Sequence, residues 1–506
     1  MSEAQKTFRK IVKGAGIIFI GLTFSKLFSY IYKFVIGRML GVEIFGVLAF
    51  ALMLLGFACT ISGLAIKEGT LRYVSFFKGK RKWDKIKGTV VSSFQIVVPI
   101  SVLMFVALFF MSNYISQLFL QPDLALLLKL LSFSLPLIII TEILSSITLG
   151  LQNVKYYVLF PLFLNNFLKL VLTIILIVFG LRLVALGAGY TISFLIVTIA
   201  FGYLTFKKIH KIWIKYKPRY NRMELIKFSW PLLPYTIIWS VMGWIDTFMI
   251  SYFYKDFSLV GSYNAALTIA TILMIVPMIF MTIFSPIITE LYARHKKKNI
   301  KLLNRQINKL IFLANFPLLL IFTVFPVVII RMLFGQDFLT GANSLIVLGI
   351  GFFIFGIANS SIVLLKTIKK TKINLINSII TIVINITLNY FLIQAYGIIG
   401  AAIATAISYI IYSLLDIIQA HHYMKMQPIS KPTIKAIFAG VIPFIALIYL
   451  KMLYTFNSIL LVITIGIVFL ATYLTMLLLL KFFEEDDIQL IRAIFQKVKL
   501  SKSKRT

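Results

Sequence analysis

AGIIFIGLTFSKLFSYIYKFVIG, residues 15–37, is long and apolar enough to cross a bilayer as a helix, yet it contains Lys26 and Lys33. A crossing takes about 20 apolar residues. A lysine at bilayer depth costs ~3 kcal/mol on insertion scales, so such a residue points to a task. The two lysines are seven positions apart and therefore lie within about 20° of each other on one helix face, with Tyr30 beside them. That basic face suits an anion handled inside the membrane. The structural alternative is that Lys33 snorkels to the interface and Lys26 pairs with a carboxylate.

The rest of the chain repeats the pattern. Of its 506 residues 60% are hydrophobic and 13% charged, with a mean hydropathy of +0.97. About fourteen apolar runs follow one another, from 15–37 to 458–480, which predicts an all-α polytopic membrane protein. The runs are continuously apolar and lack the alternation of a barrel strand. The formal charge of +35 does not call for nucleic acid. With the N-terminus inside, about 42 of the 51 Lys and Arg fall in cytoplasmic segments, as the positive-inside rule requires. This predicts both termini in the cytoplasm, and a multi-pass protein of the plasma or inner membrane is expected. The basic loops 78–87 and 295–301 can touch anionic lipid.

Cys59 is alone, so no intramolecular disulfide is expected. No hydrophilic stretch exceeds about 25 residues, and DxD, HExxH and glycine-rich phosphate loops are missing, so an enzyme is not expected. The first apolar run is too continuous with the next to read as a cleaved signal. Residues 482–506 read as a charged cytoplasmic tail. Its Glu484, Glu485, Asp486 and Asp487 are adjacent and cannot converge on one metal ion.

Residues 1–215 and 216–430 align at a constant offset. Gly46 matches Gly261, Ala51 matches Ala266, Leu149 matches Leu364, Lys155 matches Lys370, and Ser193 matches Ser408. Each unit holds six apolar runs, an even number, so the two should share one topology and be related by an axis along the membrane normal. The expected organisation is an N-terminal six-helix lobe (1–215), a C-terminal six-helix lobe (216–430), helices thirteen and fourteen (431–481) and the tail.

Several polar residues interrupt these runs. Asn165, Lys169 and Thr173 are spaced i, i+4, i+8 in the fifth, and Asn374, Asn377, Thr381, Asn385 and Asn389 form a stripe on the eleventh. Such a stripe either bonds neighbouring helices or lines an aqueous cavity. Tyr235, Trp239 and Asp246 share a face of the seventh run, an arrangement that suits sugar stacking beside a carboxylate. Asp246 and Glu142 must be paired, protonated or ion-binding, and either could partner an intramembrane lysine. Glu68 and Arg72 read as a surface i, i+4 pair. Prolines such as Pro99, Pro231, Pro234 and Pro277 should kink the spans.

Ser25-Lys26, Lys33, Arg38, Leu40-Gly41 and Gly46 together resemble the first-span signature of oligosaccharide flippases. So do FSWPLLPY (228–235), Asp246, VGSYNAAL (260–267), SPIITELYAR (285–294) and GIIGAAIATAISY (397–409). The chain is similar to the polysaccharide, or lipid-linked oligosaccharide, flippases. These form a branch of the superfamily that also holds multidrug antiporters and lipid II flippases. The resemblance implies export of polyprenyl-pyrophosphate-linked glycan to the outer leaflet by alternating access, for cell-surface polysaccharide synthesis. The pyrophosphate candidates are then Lys26, Lys33, Lys169 and, at the outer rim, Arg38. The glycan or cavity candidates are Tyr30, Asn165, Tyr235, Trp239, Asn377, Asn385 and Asn389. No cofactor or metal is expected, and coupling to a proton or sodium gradient through Asp246 or Glu142 stays open. Partners would be the lipid-linked oligosaccharide, membrane lipids and glycan-assembly proteins. A lipid II flippase, an ion-coupled multidrug exporter and, from another class, a membrane glycan polymerase are the competing readings.

Overall fold

Hydrocarbon cannot hydrogen-bond a backbone, so a chain this apolar must satisfy its amides within helices. The computed structural model describes residues 3–428, 431–453, 459–480 and 482, and every regular element among them is helical. Eleven of these helices are long and apolar enough to span a bilayer, or twelve when α5 (Pro122–Ser132) and α6 (Ser134–Gly150), bent by 40° at their junction, count as one. The expected fourteen is reached only if α17 (Thr371–Met424) is taken as two crossings and the shorter apolar helix Thr464–Leu479 as another. The tail lies outside the described residues apart from Phe482. Large apolar side chains face outward, Phe110 at 74% exposure and Met452 at 81%. On a soluble protein that would be an aggregation surface; here it meets lipid.

Glycine and proline set the corners. α1 (Glu3–Leu40) passes into α2 (Val42–Gly63) through the single residue Gly41, whose φ of +86° favours glycine. α2 turns into α3 (Ile66–Gly79) through Leu64 and Ala65, both left-handed. α4 (Trp83–Leu118) follows, then α5, α6 and the single turn α7 (Val154–Tyr157). Pro161 sits in a π-helical stretch, Val158–Leu164, that leads into α8 (Asn165–Val178) and α9 (Arg182–Lys215). A 3₁₀ turn, Trp230–Leu232, holds Pro231 and joins α10 (Arg222–Ser229) to α11 (Leu233–Tyr254), whose first turn holds Pro234. α12 (Phe257–Ala270) leads through another 3₁₀ turn to α13 (Ile275–Ala293) and α14 (Lys297–Val324). α15 (Pro326–Leu333) and α16 (Ala342–Thr367) precede α17, which breaks at Gly397 (φ +61°). α18 (Lys431–Leu453) and α19 (Ile459–Leu479) complete the described chain.

Two compact units result. The first takes in the chain up to Ile269 with Leu333–Ser344 and Ser378–Ser408; the second takes in Ala270–Met332, Leu345–Asn377 and the chain from Tyr409. In the first unit α2 and α12 touch backbone to backbone. A Cβ on Gly46 would come within 1.9 Å of the Phe257 carbonyl, and one on Gly261 within 2.0 Å of the Val42 carbonyl.

The connection at residues 216–221 is also pinned within the first unit. Lys87 Nζ donates to the Trp213 and Tyr216 carbonyls at 2.6 and 3.0 Å, and Asn221 Nδ2 donates to Thr89 Oγ1 at 3.0 Å. Arg222 donates twice to Gln95 Oε1, at 2.9 and 2.6 Å. Gly88 leaves room for the Arg219 carbonyl, which a Cβ there would meet at 1.8 Å.

Candidate functional site

α1 and α8 carry the intramembrane lysines, and the packing of α9 gives one of them its surroundings. Gly189 lets α9 lie close on α8, since a Cβ there would strike Thr173 Oγ1 at 2.4 Å. The next residue, Tyr190, reaches Lys169. The Lys169 ammonium lies 4.8 Å from the Tyr32 ring centroid and 5.4 Å from that of Tyr190. It also donates to Asn166 Oδ1 at 3.2 Å, and Asn166 Nδ2 in turn donates to Ser25 Oγ at 3.0 Å. Lys33 Nζ donates to Thr268 Oγ1 of α12 at 3.2 Å.

Lys33 and Lys169 line one cavity of about 300 Å³, and no carboxylate is among its lining residues. Lys33 and Lys169 thus place two like charges in the wall of one cavity. Neither ion pair found among the described residues involves these lysines. The rings beside Lys169 supply cation–π attraction of about 0.5–2 kcal/mol. Like charges fixed in a low-dielectric wall gain far more from a multivalent anion.

A second cavity of about 470 Å³ adjoins the first and shares Gly56, Cys59 and Trp244 with it. The left-handed pair Leu64–Ala65 starts α3 at its rim, and Lys67 faces Glu142 of α6 across 3.1 Å. Their side chains are 44% and 39% exposed. Lys67 lies outside the spanning segments. Burial alone would lower its pKa, but Glu142 and Glu68 outweigh burial and hold it above the ordinary lysine value. Tyr235 and Trp239, also in its lining, meet edge to face at 6.2 Å, and Thr60 Oγ1 donates to Ser240 Oγ at 3.1 Å.

Asp246 serves neither cavity. Its buried carboxylate accepts from Tyr263 OH and Thr405 Oγ1, both at 2.5 Å, and from Asn389 Nδ2 at 2.7 Å. Asn389 also donates to Asn385 Oδ1, and Asn385 to Thr405 Oγ1. In the second unit Asn377 donates to Asp416 Oδ1 at 2.7 Å and Gln419 Oε1 at 2.6 Å. The whole asparagine stripe is buried and none of it lines either cavity, so its described contacts are those of helix-to-helix hydrogen bonding.

The remaining expectations divide. Lys26 is half-buried and outside both cavities, Arg38 is exposed at the end of α1, and Tyr30 stacks on Phe34. Asn165 is buried with its Oδ1 unbonded. Glu142 pairs not with an intramembrane lysine but with Lys67 at the start of α3. Glu68 and Arg72 do not form the expected pair either; the Arg72 guanidinium lies 4.2 Å from the Phe228 ring centroid instead. Lys67, Tyr32, Tyr190 and Thr268 escaped the sequence reading. Lys67 directly follows an apolar run and looks like any interfacial charge, while the small-residue run GAGY at 187–190 was the available signal for Tyr190.

Comparison with known proteins places this arrangement. Residues 11–292 match the model of the family described as "Polysaccharide biosynthesis protein", and residues 231–391 match the MatE family. A Shigella flexneri protein named "Putative O-antigen transporter" is 25% identical over 75% of this chain and 90% of its own length. An "Uncharacterized membrane protein" of Methanocaldococcus jannaschii is 26% identical over 57% of each chain. A "Probable low-salt glycan biosynthesis flippase" of Haloferax volcanii is 26% identical over 44% of this chain and 46% of its own. The matches thus span about half the length of these two archaeal relatives. Among solved structures, the lipid II flippase MurJ in an inward closed conformation has a TM-score of 0.69 at 22% identity, covering 90% of this chain and 98% of that one. An inward-facing multidrug transporter of the MATE family gives 0.66 at 15% identity, covering 79% and 94%. The fold is therefore the all-helical one of these transporters, and the chain, a multi-pass membrane protein, belongs to the polysaccharide biosynthesis protein family.

Proposed function

We propose that the protein is a flippase that carries a polyprenyl-pyrophosphate-linked oligosaccharide from the cytoplasmic to the outer leaflet by alternating access. The observation that carries this reading is the cavity in which Lys33 and Lys169 converge without a carboxylate. A pyrophosphate leaving water loses hydration, and only fixed cations offset that cost. The two ammonium groups bind it, and Thr268 and the Tyr32 and Tyr190 rings hold them in place before the ligand arrives. The family match and the names of the transporter and flippase relatives support the same reading. A cationic drug would meet repulsion at this wall, which argues against a multidrug exporter. Both termini and the open end of the Lys67 cavity are cytoplasmic in this scheme. Coupling to a proton or sodium gradient falls to the buried Asp246.

The test is translocation in vesicles. Purified protein is reconstituted with a fluorescent polyprenyl-pyrophosphoryl oligosaccharide, and a membrane-impermeant quencher reads the exposed fraction. Wild-type protein should speed equilibration between leaflets, and the Lys33→Gln/Lys169→Gln variant should slow it at least tenfold. A folded double variant that translocates at the wild-type rate overturns the reading.

A further inference from the structure

The mechanism so far makes no use of the Lys67–Glu142 pair. It occupies the wall of a roomy cavity and stays open to it, with both side chains more than one third exposed. Exposed pairs contribute little to stability, so holding α3 to α6 does not by itself explain an ion pair there. Its position offers a different use. The cavity adjoins the lysine-lined one through Gly56, Cys59 and Trp244, so a group bonded to a pyrophosphate in the first projects into the second.

The two cavities differ in charge. The first has two ammonium groups and no acid; the second has one of each at 3.1 Å, and so no net charge. Around that pair stand the hydroxyls of Thr60 and Ser240 and the edge-to-face rings of Tyr235 and Trp239. A sugar needs this combination. Its C–H face packs on an aromatic ring, and each hydroxyl both donates and accepts, so an ammonium and a carboxylate side by side match neighbouring hydroxyls. The volume falls in the range of small-molecule sites. An acidic sugar would face the Glu142 carboxylate, and without Glu142 the cavity would attract it.

We propose that Lys67 and Glu142, with Trp239 and Tyr235, form a reading site for the uncharged sugar bonded directly to the pyrophosphate, and that the carboxylate of Glu142 excludes acidic sugars. This rests on the flippase reading and assigns specificity within it.

The test measures affinities of the purified full-length protein in nanodiscs for four probes. These are farnesyl pyrophosphate and the same lipid bearing glucose, N-acetylglucosamine or glucuronic acid. Wild-type protein should bind at least one neutral glycolipid about tenfold more tightly than the bare pyrophosphate and than the glucuronosyl lipid. Trp239→Ala should bring the neutral-to-bare ratio close to one. Glu142→Gln should reverse the neutral-to-acidic preference by about tenfold or more. The exchanged pair Lys67→Glu/Glu142→Lys keeps the cavity neutral and should keep the neutral preference, which decides the matter if a single variant fails to fold. A wild-type neutral-to-acidic ratio in Glu142→Gln, or loss of discrimination in the exchanged pair, overturns the proposal. The Lys33→Gln/Lys169→Gln variant separates the two levels. If it binds bare farnesyl pyrophosphate like wild type, the flippase reading fails; if it loses that affinity while Glu142→Gln keeps its ratio, only the sugar-reading site fails.

Discussion

Gly46 and Gly261 face each other's helices reciprocally: each packs on a carbonyl of the other's first turn, Phe257 for Gly46 and Val42 for Gly261. Val42 and Phe257 are separated by the same number of positions as the two glycines. The offset read from the aligned sequence pairs is thus also the offset of a contact, as a local two-fold axis between α2 and α12 would require.

This contact is unforgiving. Alanine at either glycine places a methyl group against backbone, which cannot rotate away. Gly46→Ala and Gly261→Ala should each cost ~1–3 kcal/mol or more. Thermal unfolding in detergent should show similar drops for both, because the two sites are equivalent. An unchanged melting temperature in either would mean that α2 and α12 can part.

The lysines should not be equal. Lys33 and Lys169 line the cavity and Lys26 does not, so glycan export in cells should fall tenfold or more for Lys33→Gln and Lys169→Gln, and less for Lys26→Gln. Arginine at 33 or 169 keeps the charge but is planar and bulkier, so partial export is expected. Immunoblotting of membranes would confirm that each variant is present. Equal losses at all three positions would show that the bound anion reaches Lys26.

Cysteine accessibility separates cavity from glue. Cys59 lines both cavities and should react with a small maleimide, with farnesyl pyrophosphate slowing the reaction. In a Cys59→Ser background, cysteine at Ser240 should react and cysteine at Asn389 should not. Fast labelling at 389 would put the asparagine stripe in water.

Topology can be checked independently. Reporter fusions after Lys82 and Lys297 should read cytoplasmic, and one after Asp256 extracytoplasmic. The opposite pattern would invert the orientation and move the Lys67 cavity to the outer side.

The helical membrane class was legible because hydrocarbon admits little else, and Lys33 and Lys169 stood out because charge at depth is costly. The flippase-like motifs also acquire reasons: Gly41 turns the chain, Gly261 lets two backbones touch, Tyr263 binds Asp246, and Gly397 interrupts α17. What could not be read was partnership. Lys67 with Glu142, and Asn389 with Asp246, join residues 75 and 143 positions apart, and helical periodicity gives a face but no neighbour. Arg72 shows the converse, since an i, i+4 carboxylate was available and an aromatic ring took the guanidinium instead.

The pinned connection at 216–221 has a mechanical meaning. A flexible tether would let α10 and α11 drift relative to α4, but Lys87, Asn221 and Arg222 make this segment a rigid strut. The Trp230–Leu232 turn, which holds Pro231 and is followed by Pro234, is the next place where α-helical bonding lapses, so any displacement of α11 would have to be absorbed there. The join between the two halves of the sequence is thus tied to α4, and the first break in regular helix lies one helix downstream.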